Sequence, residues 1–539
     1  MSEVSAALAL LVALPILGAT LPLAVGLVRE RAGWVIALAV LVVEAILAAI
    51  VAWSVYGLGE TRLTHNLAGG TFARIDGVGV AIGIELVADH LSAIVVLLVG
   101  VVSLATLVYT RIAGPRGNAF YSGYLLLTGG LMGVTLTHDL FNMFVFLEIV
   151  GLATYALVAS DRSAESAVAA LKYLIVGTAG ASLFLIGVGY LYVSTGMLNM
   201  TDLSLALAGE FEHTAALDGV EAGESLYDHT LVIAGFAFIA VGLATKAAIF
   251  PLHTWQPDAY AAAPDGVTVY ISALVSTVSV YALARATLTV FTPAFFAANP
   301  LAAETLIALA TVSIVAGSLL AAMQYRIDRM FAYSSVSQFG MIVAAIGLAV
   351  HPAAGPTAAA WALAGALIHL FGHGLMKGGL FLGAGIVAAR TGARTITEYA
   401  GLARRQPVVA GALAVLGLAL VGVPPSVGFV GKWYIGVGAI GVGIWPVAFV
   451  IFVSTLLTLV YVARIVEVAY FDDRDESAVH GDVAGDAGRS VATDGGRTTL
   501  LGALVLLVAT TLLVVALGFQ GAALESLFEP FVTEVVGHE

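Results

Sequence analysis

Six side chains stand out because each is titratable and each lies in a stretch too apolar to hold charge cheaply: Glu148, Lys246, His369, His373, Lys377 and Lys432. A charge at the centre of a bilayer costs about 2.5–3.5 kcal/mol on insertion scales, so it is kept where it has a partner, water or a task. Lys246 stands in Gly242-Leu-Ala-Thr-Lys-Ala-Ala-Ile-Phe-Pro-Leu-His-Thr-Trp-Gln-Pro-Asp258. Pro251 removes a backbone donor and breaks the helix just after the lysine. Broken backbone at membrane depth is tolerated only where it is buried in protein or lines a wet cavity. Glu148, within Phe141-Asn-Met-Phe-Val-Phe-Leu-Glu-Ile-Val-Gly-Leu, is a candidate partner for Lys246 or Lys172. In such a pair the charge of one member sets the proton affinity of the other, so the couple can load and release a proton. The bland alternative is an ion pair that only locks two helices.

His369, His373 and Lys377 are spaced i, i+4, i+8 and share one helix face, which suits a proton relay. A zinc-protease reading of His-x-x-x-His requires Glu directly after the first histidine; Leu370 stands there, and no metal is expected. Lys432 closes a second proline break, Gly422-Val-Pro-Pro-Ser-Val-Gly-Phe-Val-Gly-Lys432. Its competing reading is a snorkelling lysine at a helix end. Arg326, Asp328 and Arg329 read as a turn with local pairing of little energetic weight. Tyr333-Ser-Ser-Val-Ser-Gln338 offers only hydroxyls and an amide, and Glu44 and Glu467 read as structural or near-interface.

The elements that must position these groups are membrane helices. Of 539 residues 60% are hydrophobic and 11% charged, with mean hydropathy +1.01; soluble domains carry about 25% charged residues. Apolar runs recur along the whole length, so the fold class is an all-α polytopic membrane protein. The expected spans number about fourteen: 4–28, 32–57, 90–113, 118–137, 139–160, 166–196, 229–250, 266–292, 301–323, 331–350, 357–390, 407–435, 440–470 and 498–519. The first run lacks a basic leader and a cleavage site and reads as a retained span. A hairpin is expected within Thr61–Asp89, and amphipathic pieces near 201–212 and 521–535. Two broken helices in corresponding places point to an internal structural repeat, spans four to eight and nine to thirteen. The resulting division is 1–114, 115–292 and 300–470 (the two repeats being the second and third), an acidic cytoplasmic loop 471–497, and 498–539.

Charge placement adds to this. The net charge of −13, concentrated in 200–228 and 472–494, gives no basic face for nucleic acid. There is no cysteine, hence no disulfide and no thiolate chemistry. All four lysines, Lys172, Lys246, Lys377 and Lys432, fall within or beside apolar segments, where a titratable amine is useful. Arginine carries the loop charge: fourteen lie after odd-numbered spans, and only Arg62 and Arg74 after even-numbered ones. By the positive-inside rule the odd loops are cytoplasmic and both termini external, in a cell membrane.

Together these stretches resemble the antiporter-like subunits shared by respiratory complex I and the Mrp multisubunit cation/proton antiporters. The resemblance runs from about Leu86 to about residue 470. It rests on Glu148, Ala170-Leu-Lys-Tyr, Lys246 with Phe-Pro-Leu-His-Thr-Trp-Gln-Pro-Asp-Ala, Ala332-Tyr-Ser-Ser-Val-Ser-Gln, His369-x-x-x-His-x-x-x-Lys377, and Pro424-Pro-x-x-Gly-Phe-x-Gly-Lys432. It implies fourteen spans with two inverted five-helix repeats and a line of charged residues along the membrane midplane. Glu148 and Lys246 would form the first charge couple, His369, His373 and Lys377 would relay protons, and Lys432 would serve the far half-channel. Lys172, His253, Asp258 and Thr277 would support them. Within the family the chain looks most like the D-type Mrp proteins. One departure stands out: the eighth span of relatives usually carries lysine or histidine, where this chain has Ser272 and Thr277. A hydroxyl holds water in a wire but stores no proton at neutral pH.

The expected function is a proton-translocating subunit of a Na+(cation)/H+ antiporter, with other membrane subunits, protons and sodium as partners. The alternatives are a proton-pumping subunit of a complex I or membrane-hydrogenase assembly, and a scaffold that has lost conduction. No haem, flavin, iron–sulfur or nucleotide fingerprint is present, so no cofactor is expected and redox chemistry would belong to partner subunits.

Overall fold

The structure is a computed structural model that describes residues 2–29, 32–67, 73–75, 78–80, 83–210, 223–472 and 494–537. The middle of the acidic 200–228 stretch and most of the 471–497 loop, with Arg31, Arg474 and Arg489, lie outside the described residues.

Among the described residues twelve helices are long and apolar enough to cross a membrane, against the fourteen expected. The two expected spans outside that set, 229–250 and 407–435, are those in which proline interrupts the helix. The first is Thr230–Lys246 followed, after an irregular turn, by Gln256–Ala262. The second is Pro407–Val421 followed by Val427–Gly441. At the first break Ala248 takes φ +58°. At the second, Gly422 takes φ +93°, a left-handed conformation that ends a helix without a Cβ clash. Ser426 then caps the new helix by accepting from the Phe429 N–H at 3.2 Å.

Each break follows the same sequence of elements. Asn118–Leu136, Leu140–Asp161 and Ala164–Thr195 precede the first, and Asp265–Ala298 follows it. Pro300–Ala322, Ile327–Ala349 and Pro356–Thr391 precede the second, and Trp445–Tyr470 follows it. The packing is parallel too. A Cβ on Gly242 would come within 2.6 Å of the Gly180 carbonyl, so Thr230–Lys246 lies backbone-close against Ala164–Thr195. A Cβ on Gly365 would come within 2.6 Å of the Ile435 N, so Val427–Gly441 lies equally close to Pro356–Thr391. Small residues permit this approach where lipid gives no hydrophobic drive for helix association.

Asp265–Ala298 occupies the centre, with every residue of its most apolar stretch buried. It is not a regular helix: Ile271–Val275 and Ala286–Phe291 are π turns, a feature frequent at functional sites. The expected hairpin is present. Arg62–Asn66 pairs antiparallel with Glu85–Asp89, Thr64 opposite Val87, and Ala73–Ile75 pairs with Val78–Val80 beyond it. Asp89 caps the helix that follows in a capping box with Ser92. The amphipathic pieces appear as Met200–Leu207 and Gly521–Val536, the latter burying Leu524, Phe528 and Phe531. Its Leu527 carbonyl accepts from the Tyr56 hydroxyl at 3.1 Å.

Candidate functional site

Glu148 and Lys246 meet across neighbouring helices, Lys246 Nζ lying 3.2 Å from Glu148 Oε1. The lysine side chain is only 5% exposed and the carboxylate 22%. Tyr155 completes the site: its hydroxyl lies 3.4 Å from Nζ, and its ring centroid 5.9 Å from it. Glycine makes the room, since a Cβ on Gly151 would sit 3.0 Å from Nζ. Behind the pair, Tyr155 meets Tyr173 edge-on and Tyr173 stacks on Trp255 at 3.7 Å. The Trp255 indole N–H donates to the Thr245 carbonyl at 3.0 Å. The same carbonyl, one residue before Lys246, also accepts from the Ala248 N–H at 3.2 Å.

Lys172, the other partner expected for Glu148, does not join it. Its Nζ lies 2.6 Å from Asp258 Oδ2, and the other oxygen of Asp258 lies 2.5 Å from Arg329 Nη2. Asp258, on the short helix after the break, is therefore clamped between the first half of the chain and helix Ile327–Ala349. The local reading of Arg326, Asp328 and Arg329 holds for Arg326–Asp328 at 2.7 Å but fails for Arg329, which reaches across. Arg394 joins the same face by pairing with Asp265 at 2.6 Å. Asp161, Glu165, Arg326 and Arg394 help to line an open cleft of about 390 Å³ beside this cluster.

His369, His373 and Lys377 are wholly buried on the 36-residue helix Pro356–Thr391. Their shared face points to helix Ile327–Ala349. His369 Nε2 lies 2.8 Å from Gln338 Oε1, and Lys377 donates to the Phe331 carbonyl at 2.7 Å and to Ser334 Oγ. His373 has no hydrogen-bond partner on either ring nitrogen among the described residues and lies edge-on to Phe339 at 4.5 Å. The two histidine rings are 6.5 Å apart. His253 lies in the first break, stacked on Phe250 and 5.8 Å from Tyr333 of the helix that receives Lys377.

Lys432 does not snorkel. It is 7% exposed and donates to the carbonyls of Leu420 and Val421 at 2.8 and 3.0 Å, the last turn before the second break. The break thus supplies the lysine with acceptors. A Cβ on the adjacent Gly431 would sit 2.9 Å from His369 Nδ1, which places Lys432's helix against the histidine series.

The eighth-span departure is sharpened. Thr277 donates back to the Ala273 carbonyl at 2.9 Å and Ser272 to Val269 at 3.1 Å, so both hydroxyls are occupied within their own helix. Ser276 is the networked one, receiving Gln256 Nε2 at 3.0 Å near the Tyr260 hydroxyl. The same span does carry a cation that sequence reasoning passed over: Arg285. It is buried, ion-paired with Asp89, and hydrogen-bonded to the Tyr281 hydroxyl at 2.9 Å. Burial would raise the Asp89 carboxyl, but the Arg285 charge and the Arg285 and Ser92 hydrogen bonds outweigh it and hold the group below the ordinary carboxylate range. Nearby His138, outside the spans, donates or accepts at Thr201 Oγ1 at 2.8 Å. Burial, then the charges of Arg62 and Arg285, push its imidazole down to about 3.

Against known proteins, residues 137–458 match the family described as NADH:quinone oxidoreductase/Mrp antiporter, TM. The N subunit of the NADH-quinone oxidoreductase of Desulforudis audaxviator is 43% identical over 72% of this chain and 73% of its own length. The D subunit of the Na(+)/H(+) antiporter of Bacillus subtilis is 31% identical over 73% of this chain and 75% of its own. In the structure of the Mrp complex from a Dietzia species, one chain superposes with a TM-score of 0.82 at 25% identity. That match covers 99% of this chain and 98% of the other.

Proposed function

Because the chain belongs to the NADH:quinone oxidoreductase/Mrp antiporter transmembrane family, we propose that it is a proton-translocating membrane subunit of a multisubunit assembly. Other membrane subunits are its partners, as in the Mrp complex it superposes on. One observation carries the reading: Lys246, almost wholly buried, is 3.2 Å from Glu148 at a helix break. Removing one member of such a pair strands a buried charge, typically at a cost of about 3–5 kcal/mol. The arrival or departure of a proton at one member therefore changes the other. His369, His373 and Lys377 form the relay that follows, Lys432 serves the far half-channel, and Lys172, His253, Asp258 and Thr277 support the path. The chain is placed in the cell membrane with both termini external, a reading supported by the arginine asymmetry of its loops.

The driving reaction has two readings. Cation/proton exchange is supported by the likeness to the Mrp complex and to the Bacillus antiporter protein. Redox-driven pumping is supported by the higher identity to the Desulforudis quinone oxidoreductase protein. Both are read out in inverted vesicles holding the assembled complex. Sodium-dependent collapse of a ΔpH indicates exchange; ΔpH built on donor oxidation indicates pumping. In either case Lys246→Ala is expected to assemble and abolish the signal. Unchanged transport by that variant would make the protein a scaffold. Single cysteines placed near residues 5 and 530 of this cysteine-free chain are expected to react with an impermeant thiol reagent from outside the cell.

A further inference from the structure

Glu44 is fully buried, and neither of its carboxylate oxygens has a hydrogen-bond partner among the described residues. It lies near the middle of helix Gly33–Tyr56, which runs antiparallel to His90–Ala113. The register is fixed at both ends and between. The Trp34 N–H donates to the Leu107 carbonyl, Tyr56 donates to the His90 carbonyl, and Gly100 faces Ala45 and Ala48. Glu44, one turn from Ala48, therefore faces the level of Ser103, about one turn from Gly100. The charged groups on the helices packed against it are at the far ends: Arg111 lies over Trp34 at 4.2 Å and His90 meets Tyr56. Neither can neutralise a carboxylate about 15 Å away along the helix.

At that level the neighbouring helices carry a set of hydroxyls. Ser103 Oγ lies 3.0 Å from the Tyr270 hydroxyl, and Thr128 Oγ1 lies 2.7 Å from it. Tyr124 stacks on Tyr270 at 4.4 Å and donates to the Ser103 carbonyl. Tyr270 belongs to the central helix, immediately before its Ile271–Val275 π turn. An ionised carboxylate with no partner is not sustainable at such depth, and an orphaned acceptor pair is itself costly. The surroundings are single hydroxyls, which pass protons, and among the described residues there is no carboxylate or histidine cluster to hold a metal ion.

We infer that Glu44 is a second proton-exchanging carboxyl, lying off the lysine–histidine series and linked to the central helix through the hydroxyls of Ser103, Tyr270 and Thr128. This rests on the chain translocating protons. It gives the eighth span, whose Ser272 and Thr277 hydroxyls are occupied within their own helix, an acid to exchange with.

The test compares assembled native complex in inverted vesicles with Glu44→Gln, Tyr270→Phe and the double variant, with partner-subunit co-purification confirming assembly. Dicyclohexylcarbodiimide, which adds to protonated carboxyls in apolar surroundings, reports the acid directly through peptide mass mapping. The expected result is an adduct on Glu44, a several-fold fall in proton flux in each single variant, and no further fall in the double, since serial elements are not additive. An unlabelled Glu44, unchanged flux in Glu44→Gln, or multiplying effects in the double would overturn the inference while native transport stands. Loss of transport in the native complex would instead overturn the proposed function. Should Glu44→Gln fail to assemble, Tyr270→Phe decides: native flux in that variant overturns the link.

Discussion

The Lys246 amine touches three things that differ in what they can do: a carboxylate, a hydroxyl and the face of an aromatic ring. Only the carboxylate exchanges protons readily, whereas the hydroxyl orients. Tyr155→Phe keeps the ring and is therefore expected to slow vesicle ΔpH formation several-fold, where Lys246→Ala abolishes it. Gln338 has the matching role for His369. Gln338→Leu would leave a buried imidazole nitrogen without its partner, a cost of about 1–3 kcal/mol, and is expected to lower both the melting temperature and the proton flux; Gln338→Glu, which keeps an acceptor, should retain more of each. These partners are the least legible residues in the sequence. A lysine or glutamate in an apolar run is conspicuous because hydrocarbon penalises any charge. Serine, glutamine and tyrosine are ordinary in helix bundles, and nothing in Tyr333-Ser-Ser-Val-Ser-Gln338 marks Ser334 and Gln338 as the acceptors for Lys377 and His369. Arg285 escapes for another reason: arginine in this chain serves mainly as loop charge, and its partner Asp89 lies 196 residues away in sequence.

At the scale of elements, proline and lysine together locate both broken helices, and the breaks do place freed carbonyls beside the buried amines. How those carbonyls are satisfied is not readable from sequence, because the answer depends on tertiary neighbours. Lys432 itself takes two of them, while at the first break the Thr245 carbonyl is shared by the Ala248 N–H and the Trp255 indole. Trp255→Phe keeps the stacking on Tyr173 and removes the donor. It is expected to destabilise the complex by about 0.5–1.5 kcal/mol in thermal melting, with Trp255→His partly restoring it. The Lys172–Asp258–Arg329 cluster is half legible. Each residue is visible, yet the spacing of 86 and 71 residues to Asp258 gives no local signal. Being partly exposed, its pairs are screened, so Asp258→Asn should cost about 1 kcal/mol or less and show itself in transport more than in stability.

Across the whole molecule, the Asp265–Ala298 helix, the hairpin and the C-terminal helix converge at one end, where Asp89, Arg285, His138 and Phe531 meet. His138 gives this end a pH signature. Its imidazole is near 3 when folded and near 6.5 when free, so the unfolded chain takes up the proton first. Its contribution is fully present above about 6.5 and is lost as pH falls from there towards 3. The melting temperature of the solubilised complex should decline through that window, and His138→Asn should flatten the decline. The fourteen expected spans exceed the twelve long apolar helices among the described residues by the same two interrupted helices that carry Lys246 and Lys432, since an interrupted helix is too short to qualify by length alone. The Asp265–Ala298 helix, whose most apolar stretch is wholly buried, also bears on biogenesis. A segment with no lipid-facing side has no stable berth in the bilayer until the helices on both sides of it in sequence have been synthesised. Ribosomes stalled just after residue 298 should therefore leave it lodged at the insertion machinery, protected there, and released into the bundle only when Pro356–Thr391 emerges.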